Sequence, residues 1–156
     1  DDNIRHNIVS AINQGVGLVS YMGQGSENAW GDEAVFQNSD AQSLYNNAHL
    51  PIFNTFTCRS GSFTNPRTDS LAESLLWANS GGIVAAIAPS GDLPVEQQMP
   101  LTMLFHEEIM GSAPRLGDRL NELYTTVGSS EALQDALLTI NLLGDPALRV
   151  NLEHDE

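Results

Sequence analysis

Two stretches of the chain decide its fold: residues 21–30, YMGQGSENAW, and residues 54–63, NTFTCRSGSF. Each follows a short apolar run that is typical of a buried strand, and each then breaks into a turn of small residues. Turns of this kind present reactive side chains at the carboxyl ends of parallel strands. The second turn holds Cys58, the one cysteine among 156 residues, and the first holds Gln24.

Helical and extended patterns alternate through the first part of the chain. Apolar runs predict three strands, at 16–22, 51–57 and 83–88. Helical spacing predicts a helix before each strand: over 1–14, from an N-cap at Ser39, and from an N-cap at Thr68 or Asp69. This order favours an α/β fold whose mainly parallel sheet is covered by helices on both faces.

After the third strand the pattern becomes helical. It predicts helices over 95–110, with Pro100 beginning or kinking the first, and over 116–127, then a third that is capped by Ser129 and carries Ile140 inward. The sequence Gly-Asp-Pro at 144–146 stops that helix, and 148–152 is predicted as a last short strand. Residues 153–156 are predicted to be a polar tail.

The charge balance limits the partners that can be expected. Twenty acidic residues stand against six arginines, for a formal net charge of −14, which argues against nucleic acid and against an anionic membrane surface. No apolar run approaches the roughly 20 residues that cross a bilayer, so we expect no membrane insertion. Cysteine and histidine do not occur at ligand spacing, so we expect no metal and no cofactor.

Cys58 is the candidate for nucleophilic chemistry. Such chemistry needs a thiolate, a group that accepts its proton, and donors for an oxyanion. A lone cysteine is more often a small buried hydrophobe, but the position of Cys58 after a strand and before Arg59 favours a reactive role. The backbone N–H groups of Gly25 and Cys58 are candidate donors for the oxyanion.

No residue is a convincing proton acceptor. Gln24 offers only an amide, which does not take a proton at neutral pH. His49 precedes the strand that leads to Cys58. It is therefore expected at the opposite end of that strand, about 25 Å from Cys58. His6 and His106 are predicted to lie in helices, and His154 is predicted to lie in the polar tail.

The two stretches resemble the catalytic core of the gingipain-type cysteine peptidases, which have a caspase-like fold. In that family one strand ends in Gly-His-Gly-Ser-Glu followed by a tryptophan, and another ends in a cysteine with a phenylalanine five residues later. This chain has GQGSE at 23–27 with Trp30, and Cys58 with Phe63. The helix start SLAE at 70–73 and the segment NLLGDPAL at 141–148 are similar to the family as well.

The resemblance implies a set of roles. Cys58 is the nucleophile, Gly25 and Cys58 form the oxyanion hole, and Gln24 occupies the position of the general-base histidine. Ser90 and Gly91 lie near the pocket for the residue before the scissile bond. Glu27 is predicted to contact substrate.

Three functions remain open because of Gln24. The chain is a cysteine endopeptidase domain in which the histidine has been replaced, a pseudopeptidase that binds peptides or proteins without cleaving them, or a scaffold that shares only the fold.

Residues 1–152 are predicted to be the C-terminal part of a catalytic domain roughly twice this long. We therefore expect the N-terminal half of that domain, or a second chain, as a partner besides a peptide substrate. The resemblance also implies secretion or display at a bacterial cell surface.

Overall fold

The computed structural model describes residues 2–152. Its strands are β1 (Leu18–Met22), β2 (Ala29–Trp30), β3 (Phe36–Gln37), β4 (Ile52–Phe56), β5 (Ala85–Pro89) and β6 (Ile140–Gly144). Its α-helices are α1 (Asp2–Asn13), α2 (Asn38–Ala41), α3 (Leu71–Leu76), α4 (Val95–Ile109) and α5 (Leu116–Gly128). A 3-10 helix, Gln134–Leu138, lies between α5 and β6.

The main sheet has the strand order β1-β4-β5-β6. β1 pairs with β4 and β4 with β5 in parallel, whereas β6 runs antiparallel to β5 with Ala85 opposite Gly144. The prediction of a mainly parallel sheet is therefore confirmed. Because the three parallel strands point the same way, the turns after β1, β4 and β5 meet at one edge of the sheet.

Helices cover both faces of this sheet. On β4, Phe53 joins a core with α1, α2 and α3, while Ile52 and Phe56 join the core beneath α4 and α5. Successive side chains of a strand point to opposite faces of the sheet, so Phe53 lies on one face and Ile52 and Phe56 lie on the other. All five residues of β4 are buried, including the polar Asn54 and Thr55, because helices cover both faces of the sheet at this strand. The predicted three-layer arrangement is confirmed.

Two predicted helix caps are wrong. α3 is capped by Ser70 and not by Thr68 or Asp69, because the Ser70 hydroxyl accepts the Glu73 N–H while the Glu73 carboxylate accepts the Ser70 N–H. This reciprocal pair satisfies two donors at the helix start. α2 begins after Gln37 rather than Ser39, with the Gln37 N–H donating to Asp40 at 2.9 Å.

The prediction for the last third of the chain is partly wrong. Ser129 ends α5 instead of starting a helix, since its N–H donates to the carbonyl of Thr125. Ile140 lies at the start of β6, where pairing with β5 outweighs the helical pattern. Residues 148–152 form no strand, and an isolated bridge joins Arg149 to Arg115. The predicted tail at 153–156 and Asp1, the first residue of the predicted helix over 1–14, lie outside the described residues.

Two further differences concern α4 and the short hairpin. α4 begins at Val95 and runs through Pro100, so the proline does not begin it. The hairpin of β2 and β3 was not predicted, because strands of two residues have no period to detect. Among residues 2–152, no helix is long and apolar enough to span a membrane.

Candidate active site

A cavity of about 470 Å³ lies where the turns after β1, β4 and β5 meet. Its walls are residues 25–28 after β1, Cys58 and Arg59 after β4, Asp92 after β5, and Thr68 from the loop before α3. The two sequence stretches that predicted the fold therefore supply most of one cavity. Gln24, Ser90 and Gly91, all within the described residues, are not among its lining residues.

The turn after β1 is held by its backbone. The carbonyl of Gln24 accepts the hydroxyl of Tyr21 at 2.7 Å and the N–H of Gly31 at 2.8 Å. The Tyr21 ring stacks on Trp30 with centroids 4.3 Å apart, so the turn is tied to the core. The Gln24 side chain itself is exposed to solvent.

The turn after β4 is tied to the loop that follows β5. The half-buried Cys58 thiol points at the carbonyl of Leu93, with Sγ and O 3.8 Å apart, and the Arg59 N–H donates to the carbonyl of Gly91 at 3.0 Å. Arg59 has φ +57°, a left-handed conformation that is uncommon for residues other than glycine. Such strained residues cluster at functional sites.

Arg59 and Asp92 form an ion pair on the cavity wall. The two hydrogen bonds, Nε to Oδ1 at 2.8 Å and Nη2 to Oδ2 at 3.0 Å, give a bidentate contact. The Asp92 carboxylate raises the pKa of Arg59 above its usual value, so the guanidinium stays charged. Both side chains are more than half exposed, at 58% and 68%, so the pair contributes little to stability.

Gly25 and Cys58, whose N–H groups are the two candidate oxyanion donors, line the same cavity. Among the turn and loop hydrogen bonds of residues 2–152, neither the N–H of Gly25 nor that of Cys58 has a backbone acceptor. Gly25 has room for no side chain, because a Cβ there would lie 2.3 Å from Oγ1 of Thr57 and 3.0 Å from the carbonyl of Ala29. Glycine is thus required for the close approach of the two turns.

Glu27 is another polar residue that lines the cavity. Its backbone carbonyl accepts the N–H of Leu71 at 2.8 Å, which fixes the turn to the start of α3. Its side-chain Oε1 is buried and has no hydrogen-bond partner within the described chain. A buried carboxylate oxygen without a donor is costly, so this atom has unused capacity to accept an N–H.

Ser90 and Gly91 do not line the cavity, but they directly precede Asp92, which does. The N–H and hydroxyl of Ser90 both donate to the carbonyl of Thr139, and Asn141 donates to the Ser90 hydroxyl at 2.9 Å. Ser90 is therefore tied to the start of β6. Asp92, two residues after Ser90, was not predicted from the sequence, because only the tertiary structure brings it opposite Arg59.

The described histidines lie elsewhere. His49, which precedes β4, packs against Gly15, and a Cβ on that glycine would lie 3.3 Å from the His49 Cβ. His106 is exposed on α4, where its ring lies 5.8 Å from that of Phe105. None of the histidines within residues 2–152 lines the cavity, and no cluster of metal-binding side chains occurs in that range.

These features agree with a family of known peptidases. The sequence profile of peptidase family C25 matches residues 2–151. The chain belongs to this family. Family C25 consists of cysteine peptidases, which are hydrolases, so the resemblance to gingipains is confirmed.

Individual relatives agree with this assignment. The chain is 29% identical over 155 residues to Gingipain R2 of Porphyromonas gingivalis, a match that covers 92% of the chain and 21% of the relative. Gingipain R1 of the same bacterium is also 29% identical, with 15% of its length covered. The chain thus spans about a fifth or less of the length of these relatives.

Solved structures of the family share the fold. A complex of the pro- and mature domains of RgpB from Porphyromonas gingivalis superposes with a TM-score of 0.85 at 26% identity, covering 95% of this chain and 37% of that one. The crystal structure of the Arg-specific cysteine proteinase gingipain R (RGPB) gives a TM-score of 0.80 at 27% identity, over 95% of this chain and 36% of that one. The caspase-like fold is confirmed.

Proposed function

We propose that this chain is the C-terminal part of a gingipain-type endopeptidase domain in which Cys58 attacks peptide carbonyls. One observation supports the proposal: Gly25 and Cys58, from the turns after β1 and β4, line one cavity, and neither backbone N–H has a backbone acceptor among the turn and loop hydrogen bonds of residues 2–152. The thiolate would add to the carbonyl carbon, and the two N–H groups would stabilise the oxyanion that forms. Collapse of that intermediate expels the amine, which needs a proton, and leaves a thioester on Cys58 that water then hydrolyses to release the acid and the thiol.

The proton transfers are the weak step of this mechanism. Gln24 stands at the position of the histidine that would take the thiol proton and return it to the amine, and a carboxamide does neither at neutral pH. The nearest acceptor of the thiol proton that the structure shows is the carbonyl of Leu93, which cannot hold it either. We therefore expect slow cleavage by this chain.

The same observation favours a second function, that of a pseudopeptidase that binds peptides. The cavity keeps its walls without a contribution from Gln24, because neither its lining nor its hydrogen bonds use that side chain. We propose that Glu27 accepts an N–H of the bound peptide through its unpartnered Oε1. Ser90 and Gly91 would act by holding the loop that presents Asp92, since Gly91 accepts the Arg59 N–H.

The partner of this chain is inferred from the open side of its sheet. β1 is an edge strand among the described residues, and an apolar groove of about 370 Å³ runs beside it between α1 and Trp30. An exposed edge with an apolar flank is what a neighbouring strand would cover. We propose that the N-terminal half of the domain, or a second chain, packs there, and that the protein acts outside a bacterial cell or on its surface.

Restoring the histidine tests the proposed reaction. In Gln24→His, cleavage of an unstructured peptide should rise by about 10²-fold or more, because general acid–base groups contribute factors of 10²–10⁴. Cys58→Ala in the same background is the control and should abolish the gain. Cleavage that persists without the thiol would exclude Cys58 as the nucleophile.

Peptide binding separates the two functions. A pseudopeptidase should hold a fluorescent peptide with the same anisotropy-derived Kd before and after Cys58→Ala, and Glu27→Gln should weaken that binding. If Gln24→His shows no cleavage and the unaltered chain binds no peptide, the domain is a scaffold and both functions are wrong.

A further inference from the structure

Thr57 connects the two turns that carry the candidate oxyanion donors. It directly precedes Cys58, and its side chain is fully buried, with 0% of its surface exposed. Its hydroxyl oxygen has no hydrogen-bond partner within the described residues. The polar neighbour Thr55 differs, because its hydroxyl accepts the indole N–H of Trp30 at 3.0 Å. The Thr57 side chain is therefore held by packing and not by a hydrogen bond.

The packing partner of Thr57 is Gly25. A Cβ on Gly25 would lie 2.3 Å from Oγ1 and 3.1 Å from Cγ2 of Thr57, so the Gly25 backbone rests directly on this side chain. Residues 23–26 are also held by the Tyr21 hydroxyl, which donates to the carbonyl of Gln24, and by backbone bonds to the hairpin, such as the Ser26 N–H to the carbonyl of Ala29 at 2.9 Å. Among the atoms nearest to a Cβ on Gly25, those of Thr57 are the ones that belong to the turn after β4.

We propose that Thr57 is a positioning residue that fixes the separation of the Gly25 and Cys58 N–H groups, and with it the affinity of the cavity for an oxyanion. Its backbone is continuous with Cys58 and its side chain supports Gly25, so one residue determines both ends of that separation. Because a side chain packed at interior density cannot shift without its neighbours, shortening it would move one donor relative to the other. This inference rests on the proposed function, which makes those two N–H groups the oxyanion donors.

The shape of Thr57, and not its hydroxyl, carries this role. Valine has nearly the same shape and lacks the unpartnered hydroxyl, whereas alanine removes both atoms that meet Gly25. Thr57→Ala and its conservative counterpart Thr57→Val are thus a matched pair. A purely destabilising effect would appear in the melting temperature of Thr57→Ala and would weaken all ligands alike.

A peptide aldehyde and the corresponding peptide alcohol provide the readout. The Cys58 sulfur adds to the aldehyde carbon while the thiol proton passes to the aldehyde oxygen, which then lies in the oxyanion hole; the alcohol makes no bond. The preference for aldehyde over alcohol, from the ratio of their Kd values, should fall by about 10-fold in Thr57→Ala, a fraction of the 10²–10³ that loss of a whole donor costs. Thr57→Val should retain the preference.

A double-mutant cycle tests the contact itself. Gly25→Ala places a methyl group against the Thr57 side chain and should lower the melting temperature. Adding Thr57→Ala removes two of the three atoms nearest to that methyl group and should restore part of the loss, while the carbonyl of Ala29 at 3.0 Å still opposes it. Additive effects of the two substitutions would overturn the inference. So would an aldehyde preference that Thr57→Ala leaves unchanged. An unaltered chain with no aldehyde preference would instead show that the proposed reaction is wrong, and the role of Thr57 would fall with it.

Discussion

The strands β1 and β4 end in turns that face one cavity, but they are supported very differently. All five residues of β4 are buried and the strand is paired on both sides, by β1 and by β5. β1 has no fully buried residue and is paired on one side within the described chain. The turn with Cys58 thus stands on the centre of the sheet, and the turn with Gln24 stands on its edge.

This difference separates the two turns that line the cavity. The thiol side is fixed by the core and by the loop after β5, through the contacts of Cys58 with Leu93 and of Arg59 with Gly91. The turn that carries Gln24 depends on Tyr21 and Gly31, which hold the backbone carbonyl of Gln24. Because the exposed Gln24 side chain does not line the cavity, we expect a substitution at this position to leave the cavity intact.

The largest expected effect contrasts the two strands directly. Phe53 is fully buried in β4 and stacks on Trp30 at 5.0 Å, so Phe53→Ala should lower the free energy of unfolding by about 3–5 kcal/mol. Val19 on β1 is only partly buried, and Val19→Ala should cost about 1 kcal/mol. Urea denaturation measures both. Equal losses would contradict the contrast between centre and edge.

An intermediate effect concerns the turn on the edge strand. Tyr21→Phe removes the hydroxyl that donates to the carbonyl of Gln24, which should cost about 0.5–1 kcal/mol because the bond is open to solvent. Burial, with a contribution from Asp32, raises the pKa of Tyr21 above its usual 10.0.

The raised pKa of Tyr21 also predicts a pH dependence. The folded state holds the phenolic proton more tightly than the unfolded state, so this stability is fully present below pH 10.0 and is lost as the pH rises through the folded-state value. Unfolding measured at pH 8 and at pH 11 should show the original chain losing stability relative to Tyr21→Phe. A constant difference between the two proteins would show that folding does not raise the pKa of Tyr21.

The smallest expected effect lies at the turn on the central strand. Asp92→Asn breaks the ion pair with Arg59, and because both side chains are largely exposed the melting temperature should fall by at most about 2 °C. The difference should shrink further in 1 M salt, which screens exposed charges. A larger or salt-independent loss would mean that the pair, and not the buried strand, holds this turn.

The strands and the site could be predicted from the sequence where the pattern lies in adjacent residues. The apolar runs before both turns, the helical spacing of α4 and α5, and the small residues around Gln24 and Cys58 are contiguous patterns, and each corresponds to an element or a cavity wall. The caps at Ser70 and Gln37 were missed because several residues nearby can cap a helix, and the choice depends on which side chain reaches the free N–H groups.

Non-local contacts account for the remaining errors. Ile140 fits a helical pattern, yet it lies in β6 because β5 offers it a partner more than fifty residues away in sequence. Asp92 carries no signal of its own, and its place in the cavity depends on the fold that brings it to Arg59. Thr57 reads as one more residue of a buried strand until Gly25 is seen to rest on it.

Residue order alone established the α/β architecture, the cysteine at the end of a strand and the glutamine at the end of another, because hydrophobic period and turn chemistry are properties of adjacent residues. The tertiary structure decided that Gly25 and Cys58 line one cavity, that Gly25 packs on the side chain of Thr57, and that Gln24 is exposed to solvent. Those relations depend on how parallel strands align across the sheet, and strand alignment is set by packing between residues that are distant in the chain.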